Sequence, residues 1–177
     1  MSDIINARTI IVLADCHIHP GRGLVWPQAA LDAFAGADPF VTLGDMGERA
    51  CLDTLAAIAP LIGVICRDDE ADPRTAPRLR VIETHGVRIG CVFDAAEAGL
   101  ATPGASPAGA GDDAVARVFG APIDVLLWAS THVPSCERGK RLCVNPGSAT
   151  LPDEGAARTF ARLTLRDGKA EAEIVEL

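Results

Sequence analysis

Three apolar, β-branched runs, TIIVLA (9–14), PFVTLG (39–44) and LIGVIC (61–66), are separated by Ala-rich stretches of helical character, WPQAALDAFA (26–35) and ACLDTLAAIAP (50–60). Short continuous apolar runs read as strands buried on both faces, and parallel strands need long crossovers, usually helices. The β-α-β-α-β order therefore predicts a parallel sheet with helical connections. Pro27 suits the first turn of its helix, and Pro60 closes the second.

Beyond residue 66 the pattern changes. LRVIETHGVRIGCVF (79–93) is two strand-like runs around THG, a hairpin signature. AAEAGLATPGASPAGAG (95–111) has no periodicity and reads as a flexible loop or lid. DDAVARVFG (112–120) predicts a short helix with acids at its positive end, and IDVLLWAS (123–130) another buried strand. RLCVNPGS (141–148) and residues 157–177 close the chain as antiparallel strands, the last pair turning at RDGK. No repeat or linker interrupts residues 1–177, which read as a single α/β domain with mixed sheets.

Composition narrows the function. The chain is 49% hydrophobic but has no Tyr and only 4% aromatics, so its core must rest on Ala, Val, Leu and Ile. Its apolar runs are too short to span a bilayer, and MSDIINAR lacks the charged-then-apolar order of a secretory leader, so no membrane partner and a cytoplasmic location are expected. A formal charge of −8 argues against non-specific nucleic-acid binding. A small anionic substrate would need a local positive centre such as a metal. The six cysteines, at 16, 51, 66, 91, 136 and 143, form no C-x-x-C pair and read as reduced, mostly structural thiols.

Chemistry concentrates at the carboxyl ends of the buried strands, where open α/β folds bind ligands. The first strand runs into Asp15-Cys16-His17-Ile18-His19, the second into Gly44-Asp45, the third into Cys66-Arg67-Asp68-Asp69, and IDVLLWAS into Thr131-His132. A mixed carboxylate–imidazole set suits Mn, Fe, Zn or Ni better than Ca or Mg. A lone D-x-H is weak, because Asp15 could equally cap a turn. His85, between Thr and Gly in a hairpin turn, reads as solvent-exposed.

Taken together, LADCHIH, VTLGDMGE, WASTHVP and CVNPGSATLP follow the order and spacing of the calcineurin-like metallophosphoesterases. The chain most resembles their small bacterial and archaeal phosphodiesterase branch, which is Vps29-like. The resemblance covers nearly the whole chain, with NPGSATLP (145–152) its most specific piece. It implies two mixed β-sheets packed together and flanked by helices, and a two-metal site bridged by the G-D aspartate, here Asp45. It places Asp15, His17, Asp45 and His132 on the first metal, and all four are present. The second metal's other ligands would be an Asn and two His; those positions hold Arg67, Phe93 and Ser130. Random loss of three ligands from seven would strike only that metal's private set in about one case in thirty-five, by simple counting over a two-metal clamp. The pattern points to one divalent transition metal per chain.

Arg67 would repel a second cation and could hold a phosphate oxygen in its place; it could equally pair with Asp68, Asp69 or Asp94. Asp68 follows it as a carboxylate able to act as general acid or base, or to repel an anion. His19, Glu48 and Asp94 are the residues that could rebuild a second site. The resemblance thus implies a metal-dependent hydrolase of a small phosphodiester or other anionic ester, with Arg67 and Asp68 as catalytic candidates. The alternative is a non-catalytic scaffold of the same fold, and homo-oligomerisation is left open.

Overall fold

The computed structural model describes residues 2–177. Strands β1 (Asp3–Ile4), β2 (Thr9–Leu13), β3 (Phe40–Thr42) and β4 (Leu61–Gly63) come first, with helices α1 (Gln28–Ala33) and α2 (Arg49–Ala56) between β2, β3 and β4. The hairpin β5 (Leu79–Thr84) and β6 (Val87–Val92) follows, then α3 (Asp112–Phe119), β7 (Val125–Leu127), β8 (Ser135–Arg138), β9 (Leu142–Asn145), β10 (Thr159–Arg166) and β11 (Lys169–Glu176). They form two mixed sheets, ordered β1-β5-β6-β7-β9-β8 and β11-β10-β2-β3-β4. As the alternation of runs predicts, β2, β3 and β4 are parallel, with Leu13 opposite Thr42 and Thr42 opposite Gly63.

Alternating side chains divide these strands between two layers. Ile10 and Val12 of β2 join Val125 and Leu127 of β7 and Leu163 of β10 in the core between the sheets. Ile11 and Leu13 point the other way, onto α1 and α2, where Phe34 makes edge contacts with Trp26, Phe40 and Phe160. Beyond the other sheet, Val92, Leu126 and Trp128 pack beneath Val115 and Phe119 of α3. The result is a sheet sandwich flanked by helices.

Several expectations need correction. Residues 95–111 are not a free lid: Ala95, Leu100 and Pro107 are buried, and Leu100 N–H donates to the Ala95 carbonyl at 2.8 Å. The small side chains that hide periodicity also allow close packing on the sheet. His85 occupies the predicted two-residue turn with φ of 47°, followed by Gly86 at 76°, but it is half-buried and its Nε2 has no partner among the described residues. The short edge strands β1 and β8 carry no apolar run and leave no signal in the sequence. All six thiols are free, five of them buried and Cys136 exposed.

Candidate metal centre

The strand ends meet where the two sheets converge. Asp15, His17, Asp45 and His132 all adopt left-handed backbone, with φ between 47° and 58°. Such conformations cost about 1–3 kcal/mol each in ordinary residues and persist only where their surroundings over-determine them. Here the loops after β2 and β3 are laced together: Asp15 N–H donates to the Gly44 carbonyl, His17 N–H to Asp45, and Ile18 N–H to Met46, at 2.9–3.1 Å. The loop after β4 adds a clamp. Asp69 Oδ2 accepts the backbone N–H groups of Asp45 and Cys66, and its Oδ1 accepts that of Met46.

The NPGS segment locks the opposite side. Asn145 donates to Thr131 Oγ1 at 3.0 Å and accepts Gly147 N–H at 2.9 Å. Gly147, with φ of 67°, leaves no room for a side chain, since a Cβ there would stand 2.3 Å from Thr159 Oγ1. Ser148 Oγ donates to the Asp15 carbonyl at 2.7 Å, and Thr150 Oγ1 donates to that of Cys16.

These restraints bring donor atoms of His17, Asp45 and His132 within 4.8 Å of one another. His17 Nε2 lies 3.1 Å from Asp45 Oδ2 and 3.2 Å from His132 Nε2. His132 Nδ1 lies 2.6 Å from the Leu151 carbonyl, which can only accept. Nδ1 therefore carries a proton, and in the neutral ring Nε2 turns its lone pair toward His17 and Asp45. Asp15 stands behind the trio, its Oδ2 accepting the N–H groups of Ser130 and His132, while its buried Oδ1 has no partner among the described residues.

Burial pushes Asp15 up to about 6, against the pull of His132, and burial also raises Asp45 despite His17. Burial lowers His17, which favours the neutral ring that a metal would need. Two imidazole nitrogens, a carboxylate oxygen and an unpartnered carboxylate oxygen behind them fit a divalent transition metal.

The other anticipated residues lie outside this trio. Arg67 and Asp68 are 85% and 73% exposed and lie 3.7 Å apart. His19 faces Glu48 at 3.4 Å. Asp94 turns its Oδ1 onto the N–H groups of Ala96 and Glu97. A second grouping, Asp45, Cys66 and Asp69, is also within 4.8 Å, but the Asp69 oxygens already accept three backbone N–H groups and burial raises the Cys66 thiol to about 11. Sequence reasoning missed the clamping role of Asp69 and the Leu151 carbonyl. The acid is visible at a strand end, whereas a backbone carbonyl leaves no residue-type signal.

A two-sheet sandwich that gathers imidazoles and carboxylates at its strand ends defines a hydrolase of the metallophosphoesterase class. The chain belongs to the calcineurin-like phosphoesterase superfamily, whose domain model matches residues 9–168. It is similar to a protein of Methanocaldococcus jannaschii described as a probable metallophosphoesterase, with 27% identity over 169 residues, covering 94% of this chain and 80% of that protein. Among solved structures, Vps29 of Chaetomium thermophilum matches with a TM-score of 0.69 at 25% identity, covering 96% of this chain and 97% of that one. An archaeal phosphodiesterase shares the fold with a TM-score of 0.64 at 14% identity, over 94% of this chain and 99% of its own.

Proposed function

We propose that the protein hydrolyses a small phosphodiester or other anionic ester with a single divalent transition metal held by His17, Asp45 and His132, with Asp15 completing the set. The observation that carries this reading is the convergence of three donors whose backbones are all held left-handed, one of them with its tautomer fixed by a carbonyl. A bound divalent cation supplies Lewis-acid polarisation of a phosphoryl oxygen and lowers the pKa of water. The protein's own groups orient the ester. Arg67, exposed and only loosely paired, is free to take an anionic oxygen on the side where relatives of this fold would carry a second cation. Asp68, the carboxylate beside it, is the general acid–base candidate for the leaving oxygen. Phe93 supports the one-metal count: a Cβ on Gly44 would stand only 2.9 Å from its ring, so that ring packs against the loop bearing Asp45.

Elemental analysis of protein purified without chelator, with and without added Mn²⁺, tests the metal. One metal per chain, lost in D45N, is expected, as is loss of phosphodiester turnover in both D45N and R67A with the fold intact. Two metals per chain would overturn the one-metal reading. A specific feature favours the scaffold alternative: Val133 and Leu151, 48% and 42% exposed, flank His132 as an apolar rim. Absence of metal and of turnover would decide for it.

A further inference from the structure

Beside the metal trio, a cavity of about 500 Å³ opens between the loop after β4, the β5–β6 hairpin, the turn at 94–98 and α3. Its size falls within the range of small-molecule sites. Cys66, Arg67 and Asp68 form the wall nearest the trio, and Cys66 Sγ lies within 4.8 Å of a carboxylate oxygen of Asp45. Its apolar lining is Leu79, Val92, Phe93 and Val118, with the Phe93 ring only partly buried.

Charge carries the second signal. Arg67, Arg78 and Arg117, all exposed, line the cavity in a chain whose net charge is −8. Among the described residues, Arg78 and Arg117 have no acidic partner within 4.0 Å and are exposed. Three acids also line the cavity, but Asp68 pairs with Arg67 and Asp94 is spent on backbone N–H groups. Glu97 is left against two free guanidiniums. Unpaired Arg at the rim of an apolar cavity suits an anion attached to an apolar body, and guanidinium planes and an exposed phenyl ring both stack on flat rings.

We propose that this cavity binds the organic part of the substrate, a planar ring system of nucleoside size joined to phosphate. The ring lies on Phe93 and Val118, and Arg78 and Arg117 hold anionic oxygen at the mouth. The inference rests on the hydrolase reading for its description as a substrate site, but its binding chemistry can be measured without turnover.

Titration calorimetry on chelator-treated protein, using adenosine 5′-monophosphate, hexyl phosphate and inorganic phosphate as probes, is the test. The nucleotide should bind at least tenfold more tightly than either other probe. R78A/R117A and F93A should each weaken it tenfold or more, with the circular dichroism of R78A/R117A unchanged because both arginines are exposed. Nucleotide binding no tighter than inorganic phosphate, or indifferent to R78A/R117A, overturns the cavity assignment; hexyl phosphate binding as tightly as the nucleotide overturns the planar ring. The two readings fail separately. Nucleotide binding lost in R78A/R117A, with no ester turnover by Mn²⁺-loaded wild type, upholds the cavity and sinks the hydrolase. Asp45-dependent turnover without nucleotide binding does the reverse.

Discussion

Asp15 is buried with one carboxylate oxygen unpartnered, and burial raises it from 3.8 to about 6. A carboxyl raised on folding gives its full stabilisation below the unfolded value and loses it as pH climbs through the folded one. In metal-free protein the window therefore runs from 3.8 to about 6, and a rise of that size corresponds to roughly 3 kcal/mol. Wild type should lose stability relative to D15N across that window, and hold a constant deficit above it. Urea unfolding in chelator at pH 4, 5, 6 and 8 checks this. A wild-type-minus-D15N difference that stays flat with pH would show that Asp15 is not ionising at a cost. The left-handed backbone at Asp15, His17, Asp45 and His132 tells the same story in another form: a site made costly in isolation is consistent with one built to receive a ligand.

Between residues and molecule stand the loops, and two aspartates of the segment after β4 set their positions by different means. Asp69 satisfies three backbone N–H groups from two loops, so D69A leaves all three without their acceptor. It should cost about 1–3 kcal/mol. More tellingly, it should weaken metal binding at least tenfold, as outer groups that orient ligands do, although Asp69 need not touch the metal. Metal titration followed by calorimetry separates this from a purely structural loss, which would lower stability and leave affinity alone. Asp72 ties the same segment to helix α2 and strand β4. Its fully buried side chain binds Arg74 at 2.6 Å and Arg49 at 3.2 Å, while Arg74 reaches Asp53 and its carbonyl accepts Gly63 N–H. The Arg74 hydrogen bonds lower Asp72 from 3.8 to about 2, so its contribution is present above 3.8 and fades as pH falls through about 2. D72N should cost about 3 kcal/mol at neutral pH, as breakage of a buried pair does. The difference from wild type should shrink in acid unfolding curves below pH 3.8; a penalty unchanged at pH 2 would mean that charge is not what Asp72 contributes.

At the scale of the molecule, the sequence is legible where burial imposes a period and obscure where proximity is created by folding. The parallel strands β2, β3 and β4 and both tight hairpins follow from apolar runs and from His85-Gly86 and Asp167-Gly168 at positive φ. The strand ends also anticipate that His17 and Asp45 converge, because the parallel strands β2 and β3 deliver their carboxyl ends to one edge, where His132 joins them from the other sheet. Strand β8, SCER, is a polar edge with no apolar signature, and the packing of Leu100 is hidden among small residues. The cavity under α3 joins residues from 65 to 118 and has no local motif at all. For the proposed cation this topology has a mechanical consequence. His17 and Asp45 come from loops of the β2–β3 sheet, whereas His132 follows β7 of the other sheet. A cation held by all three ties the sheets together at their shared edge and binds only the folded chain. At a free concentration of 100 times Kd such binding adds about 2.7 kcal/mol. For a chain of this size that raises Tm by about 5–10 °C. Mn²⁺ added to chelator-treated protein should give that shift in a thermal melt, and both D45N and H132A should abolish it while still melting cooperatively. A shift that survives H132A would place the metal within one sheet, and the cross-sheet tie would have to be abandoned.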